Sequence, residues 1–168
     1  MKNIVLVGFM GTGKSVVGKR LAKQLNMEFV STDDIVEKKE NRTIAKIFEE
    51  SGEPYFRKIE KEAVKEISGL DNAVIAAGGG VVLDEENMSS LRKNGVIICL
   101  NAAPQVIYER TKKHKHRPLL NVDNPVQKIK ELLDSRSAFY ARADYQIDTS
   151  DKSIMKVTED VVKAINAN

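Results

Sequence analysis

Short apolar runs alternate along the chain with longer stretches in which apolar residues recur at helical spacing. Runs at 4–7, 28–30, 73–77, 96–100 and 145–147 predict five short strands. Helical patterns fall at 14–24, 44–49, 55–67, 85–93, 104–111, 126–140 and 154–167, and a further helix follows Ser31-Thr32-Asp33-Asp34. Strand alternating with helix predicts an α/β fold, a parallel sheet covered on both faces with right-handed crossovers. Ligands of such sheets bind at the carboxyl ends of the strands, so the chemistry belongs in the loops that follow them.

The first such loop is the most informative stretch. Gly8-Phe9-Met10-Gly11-Thr12-Gly13-Lys14-Ser15 lies between the first strand and the first helix, the context of a phosphate-binding loop. Its glycines let successive backbone N–H groups turn toward an anion, and the helix adds its free N–H groups and positive dipole end. Lys14 brings a full charge to the outer phosphates, and the Ser15 hydroxyl can ligate Mg²⁺. The loop predicts binding of a nucleoside triphosphate. No Asn-Lys-x-Asp stretch reads guanine, which argues against a regulatory GTPase.

Composition narrows the class without changing it. The 168 residues suit one domain, and 42% hydrophobic with 30% charged content is ordinary for a soluble protein. A net charge of +3, from 27 basic and 24 acidic residues, is too weak to suggest nucleic-acid binding. The single cysteine, Cys99, lies in an apolar strand and reads as a buried core residue of a cytoplasmic protein. No run approaches the ~20 apolar residues of a membrane span, and the first strand leaves no room for a leader.

Four later stretches carry open alternatives. Ser31-Thr32-Asp33-Asp34 reads either as a helix cap with acids in the first turn or as carboxylates facing the phosphate loop. Arg57 and Glu60, three apart on a helix, pair either as a surface salt bridge or within a site. Gly78-Gly79-Gly80 ends the third strand, where close approach of a ligand to bare backbone is favoured over a simple turn. The basic stretch Lys112 to Arg117, before Pro118-Leu119-Leu120, reads as a nucleic-acid patch, a solvated face or, better in a triphosphate-binding enzyme, a lid that carries Arg117 onto the transferring phosphate. His114 and His116 are expected to face solvent, and Arg136 and Arg142 alone read as surface charge.

Together these pieces resemble the shikimate kinase family over nearly the whole chain. The marks are the loop at 8–15, Gly-Glu-x-x-Phe-Arg-x-x-Glu at 52–60, Gly-Gly-Gly at 78–80, Arg-Pro-Leu-Leu at 117–120, Arg-x-x-x-Tyr at 136–140 and Ala-Asp at 143–144. The resemblance implies a three-layer P-loop kinase fold with strand order 2-3-1-4-5, a substrate region at about 32–60 and a lid at about 112–124. It implies ATP- and Mg²⁺-dependent phosphorylation of the 3-hydroxyl of shikimate, a step toward chorismate and the aromatic amino acids, by a monomer. Gly11, Thr12, Gly13, Lys14, Ser15 and Val16 would hold ATP, with Arg110 and Ser153 near the adenine, Arg117 on the phosphates and Ser15 on the metal. Asp33, Arg57, Glu60, Gly78, Gly79, Gly80 and Arg136 would hold shikimate, with Lys14, Asp33 and Arg117 catalytic. One position departs from the family: Ser31 stands where an Asp of an Asp-x-Asp pair is usual, which implies weaker Mg²⁺ binding rather than lost activity. Gluconate phosphorylation, or nucleotide binding without catalysis, are the competing functions.

Overall fold

The computed structural model describes residues 2–114 and 120–167. Five parallel strands form one sheet in the order β2-β3-β1-β4-β5. They are β1 (Asn3–Val7), β2 (Glu28–Ser31), β3 (Ala73–Ala76), β4 (Gly95–Asn101) and β5 (Tyr145–Asp148). The strand alternation divides the core into two layers. Val5, Val7, Ile97 and Cys99 face one side, and Ile4, Leu6, Ile98 and Leu100 face the other.

Helices α1 (Lys14–Leu25) and α7 (Ile154–Asn166) cover the second side through Val17, Leu21, Val157 and Val161. The first side is covered by α3 (Ile44–Ser68), α4 (Glu85–Lys93), α5 (Pro104–Thr111) and α6 (Pro125–Tyr140), through Val64, Met88, Ile107 and Ile129. This is the expected three-layer arrangement with helices on both faces. Cys99 is buried and its thiol is pushed up to about 12 by burial, as an inert core residue would be.

Helix α2 (Thr32–Glu40) and α3, on both sides of its break, enclose a separate small core of Val36, Ile47, Phe56, Ile59 and Ala63. The two helices expected at 44–49 and 55–67 join end to end as α3 across a kink at Gly52, whose φ of 82° and ψ of 169° are not helical. Pro54, two residues later, fixes its own φ at the restart. The break re-aims the second half so that Arg57 and Glu60 point back at the sheet. A short 3₁₀ turn, Val81–Leu83, was not foreseen; it closes the glycine run with Val81 and Leu83 N–H donating to Gly78 and Gly80 carbonyls, both at 3.1 Å.

Candidate active site

The loop after β1 is held open by its own backbone. Gly8, Gly11 and Gly13 have φ of 137°, 78° and 99°. Gly13 is the N-cap of α1 with no side-chain cap, and no acid occupies the first turn, so the helix end is left to an anion. The Lys14 ammonium donates to the Gly8 and Phe9 carbonyls at 2.7 and 2.9 Å, which curls its side chain over the loop. The Thr12 hydroxyl turns inward and donates to Phe9 O at 2.8 Å.

A brace from the far side of the sheet fixes this loop. Arg110 donates to Gly11 O at 3.2 Å and to the Thr149 hydroxyl and carbonyl at 3.0 and 2.8 Å. The buried Thr149 hydroxyl lies 3.0 Å from Thr12 O. The space above the loop is a cleft of about 390 Å³, lined by Met10 to Val17 and by Arg110, Thr111, His114, Thr149, Lys152 and Ile154. Arg110 thus lies at this cleft, while Ser153 is the N-cap of α7, accepting from Lys156 N–H at 3.1 Å between two lining neighbours. His114 is exposed, as expected, yet lines the cleft mouth. Arg117 and His116, with residues 115–119 of the expected lid, lie outside the described residues.

A second cavity of about 580 Å³ opens under the α2–α3 lobe. It brings together Asp33, Arg57, Glu60, Gly78, Gly79, Gly80 and Arg136, seven residues drawn from four separate stretches. Both readings of the 31–34 stretch hold. Ser31 caps α2, accepting from Asp34 N–H at 3.4 Å, and Ser31 and Asp33 line both cavities with Ser15.

Arg57 and Glu60 pair at 2.8 Å, and the pair belongs to the site rather than the surface, because Glu60 is only 1% exposed. Glu53 supplies a second carboxylate to Arg57 at 3.2 Å. Burial pushes the Glu60 carboxyl above its ordinary range, and the Asp33 charge adds to this while Arg57 opposes it. Burial pulls the Arg57 guanidinium down, but the two carboxylates offset this and leave it raised. Arg136, which alone reads as surface charge, is 4% exposed, with its guanidinium 5.5 Å over the Phe9 ring. Arg142 stays at the surface, paired with Glu85.

The triple glycine makes room chiefly for protein side chains. A β-carbon on Gly78 would sit 2.8 Å from Glu60 Oε2 and 2.9 Å from Asp33 Oδ1. One on Gly80 would overlap the Arg57 guanidinium. On Gly79 it would lie 3.4 Å from Met10 N and 3.7 Å from Arg136 Nη1. The turn therefore lets two carboxylates and two guanidiniums converge on one strand end.

Three supporting residues escape sequence reasoning. The Thr32 hydroxyl accepts from Gly78 N–H at 2.8 Å, the Tyr140 hydroxyl donates to Gly79 O at 2.8 Å, and Thr149 joins Arg110 to the phosphate loop. Each acts across 39 or more positions, so no local spacing announces it. Tyr140 was marked only as the end of the Arg-x-x-x-Tyr stretch, four residues after Arg136 on the same face of α6, without its partner.

The family model for shikimate kinase matches residues 10–166. The chain is similar to the shikimate kinase of Caldanaerobacter subterraneus, at 56% identity over 98% of this chain and 96% of that protein. The shikimate kinase of Thermoanaerobacter pseudethanolicus is 54% identical over the same shares. Among solved structures, shikimate kinase from Acinetobacter baumannii in complex with shikimate superposes with a TM-score of 0.97 at 36% identity, covering 100% of this chain and 94% of that one. A gluconokinase from Sinorhizobium meliloti, at 15% identity and a TM-score of 0.64, shares the fold alone. The chain belongs to the shikimate kinase family.

Proposed function

We propose that this chain transfers the γ-phosphoryl group of ATP to the 3-hydroxyl of shikimate, giving shikimate 3-phosphate and ADP. The supporting observation is that the phosphate cleft and the acid-and-arginine cavity meet at Ser15, Ser31 and Asp33. A phosphate donor bound in one and a small hydroxy acid in the other would face each other across that junction.

Shikimate is a small carboxylate with three hydroxyls. Arg57 and Arg136 can clamp its carboxylate by charge-assisted bonds, with Glu60 orienting Arg57. Asp33 accepts from the hydroxyls, aligns the attacking oxygen and takes its proton as the new P–O bond forms and the bond to the ADP oxygen breaks. Gly11, Thr12, Gly13, Ser15 and Val16 hold the triphosphate, and Lys14 and Arg117 neutralise charge that builds on the transferred group. Arg110 and Ser153 serve the nucleotide end. Gly78, Gly79 and Gly80 form the wall of the acceptor site.

The donor set fits Mg²⁺ carried in by the triphosphate. Among the described residues no cluster of three or more carboxylate, histidine or cysteine ligands forms a cage of its own. Ser15 and Ser31 hydroxyls beside one Asp33 carboxylate suit a hard cation that keeps water and phosphate ligands. When bound, Mg²⁺ supplies Lewis-acid neutralisation of phosphate charge, with Ser15 as its protein ligand.

The reading extends to one domain with a substrate region at 32–60 and a lid at 112–124, working as a cytoplasmic monomer. Among the described residues no helix is long and apolar enough to cross a membrane. Incubation with MgATP and shikimate, followed by phosphorus NMR of the product, tests the reaction. A phosphate ester on the 3-hydroxyl supports it, and unchanged shikimate beside intact ATP contradicts it.

A further inference from the structure

Three consecutive glycines make a backbone with little stiffness of its own, so the turn at 78–80 keeps its shape only through ties from elsewhere. Gly78 is tied twice, its N–H to the Thr32 hydroxyl and its carbonyl to Val81 N–H. Gly80 is tied through its carbonyl to Leu83 N–H. The middle residue, Gly79, is held by the Tyr140 hydroxyl, which donates to its carbonyl at 2.8 Å. Gly79 lines both cavities.

We infer that Tyr140 is a positioning residue for shikimate, acting through the Gly79 carbonyl. Because the peptide unit is planar, fixing the Gly79 carbonyl also fixes the Gly80 N–H. The segment thus fixed is the one packed against Arg57 and Arg136. Tyr140 shares the α6 face with Arg136, so one helix sets both a carboxylate-binding guanidinium and the backbone beside it. The hydroxyl is built for a fixed donor role: Tyr140 is 5% exposed, and burial pushes its pKa up to about 12, against the pull of Arg136. Its own carbonyl is held by Gln146 Nε2 at 2.7 Å, which anchors the end of α6 to β5.

The inference rests on the shikimate kinase reading. Its test is Tyr140→Phe in the full chain, which keeps the ring and removes the hydroxyl, with its donation to Gly79 O and its contact to the Arg136 side chain. Shikimate KM, and the Kd from calorimetry with a fitted site number, should each rise about 5- to 50-fold, since a buried carbonyl loses its partner. The KM for ATP should stay within about twofold, because the phosphate loop is braced separately through Arg110 and Thr149. A general loss of packing would instead lower the fitted site number or move both substrates alike. Shikimate KM and Kd unchanged in the variant, or both substrates' KM rising together, would overturn the inference. Wild-type protein that releases no ADP in response to shikimate would sink the underlying reading, a distinct failure.

Discussion

The phosphate loop and the turn at 78–80 each place three glycines at the carboxyl end of a strand. In the loop, Gly8, Gly11 and Gly13 have φ between 78° and 137°, a region that side chains adopt only under strain. In the turn none of the three has such a φ, and what crowds a β-carbon is Glu60 and Asp33 at Gly78 and Arg57 at Gly80, while Gly79 meets only ordinary contacts. One set of glycines serves a backbone shape that points N–H groups at an anion. The other leaves space so that charged side chains can converge. The same residue type therefore fails in different ways when replaced, and the substrate affected differs.

Asp33 stands at the junction of the two regions, and its loss should have the largest effect. Asp33→Asn keeps the shape but removes the proton acceptor, so kcat should fall about 10²- to 10⁴-fold with thermal stability little changed. A steady-state assay of shikimate-dependent ADP release reads this, and a variant with near-normal kcat would remove Asp33 from the chemistry.

A pair of alanine variants separates the two kinds of glycine. Gly80→Ala must displace the Arg57 guanidinium, so shikimate KM should rise about 10- to 100-fold while ATP KM holds. At Gly13 a β-carbon meets nothing closer than Val17 Cγ2 at 3.8 Å, so Gly13→Ala carries strain alone. That strain, about 1–2 kcal/mol, should appear as a lower unfolding temperature and a raised ATP KM. If Gly80→Ala raised the KM of both substrates equally, the distinction would collapse.

Ser31→Asp sharpens the account of the junction. Aspartate caps a helix as well as serine, so α2 should be undisturbed. The added charge should lower the Mg²⁺ concentration needed for half-maximal rate, and an unchanged Mg²⁺ dependence would show that position 31 does not act on the metal.

The smallest effect expected is a pH-dependent one at Glu60. Its carboxyl is held above the ordinary range, mainly by burial. A carboxyl raised in the folded state gives stability that is present below its unfolded pKa and is lost as pH rises through the folded value. The stability of the native chain relative to Glu60→Gln should therefore decline as pH climbs out of the ordinary carboxylate range. Thermal unfolding of both proteins across that window measures it, and a gap that is flat or widens in favour of the native chain would contradict the burial argument.

What could be read from the sequence follows from the range of the interactions involved. The phosphate loop and the Arg57–Glu60 pair were legible because all their parts lie within a few residues, where spacing fixes geometry. The alternation of strand and helix gave the layers, and the family resemblance supplied the strand order. The burial of Arg136 was not legible from its helix, since Phe9 and Gly79 reach it from across the sheet. The glycine turn was placed by the sequence, but ligand approach alone was expected there, and the crowding of Gly78 and Gly80 by side chains from residues 33, 57 and 60 was not foreseen. The Gly52 break left its mark as a gap between two helical patterns, though without the direction in which it turns Arg57. Thr32, Tyr140 and Thr149 act through single hydroxyls on distant backbone, a contact that leaves no periodic trace.

The most direct test of the central claim is ADP release from MgATP by the native chain, with shikimate, quinate, gluconate or no acceptor. The account predicts strong stimulation by shikimate alone. Equal stimulation by gluconate, or ATP binding with no stimulation by any acceptor, would contradict it.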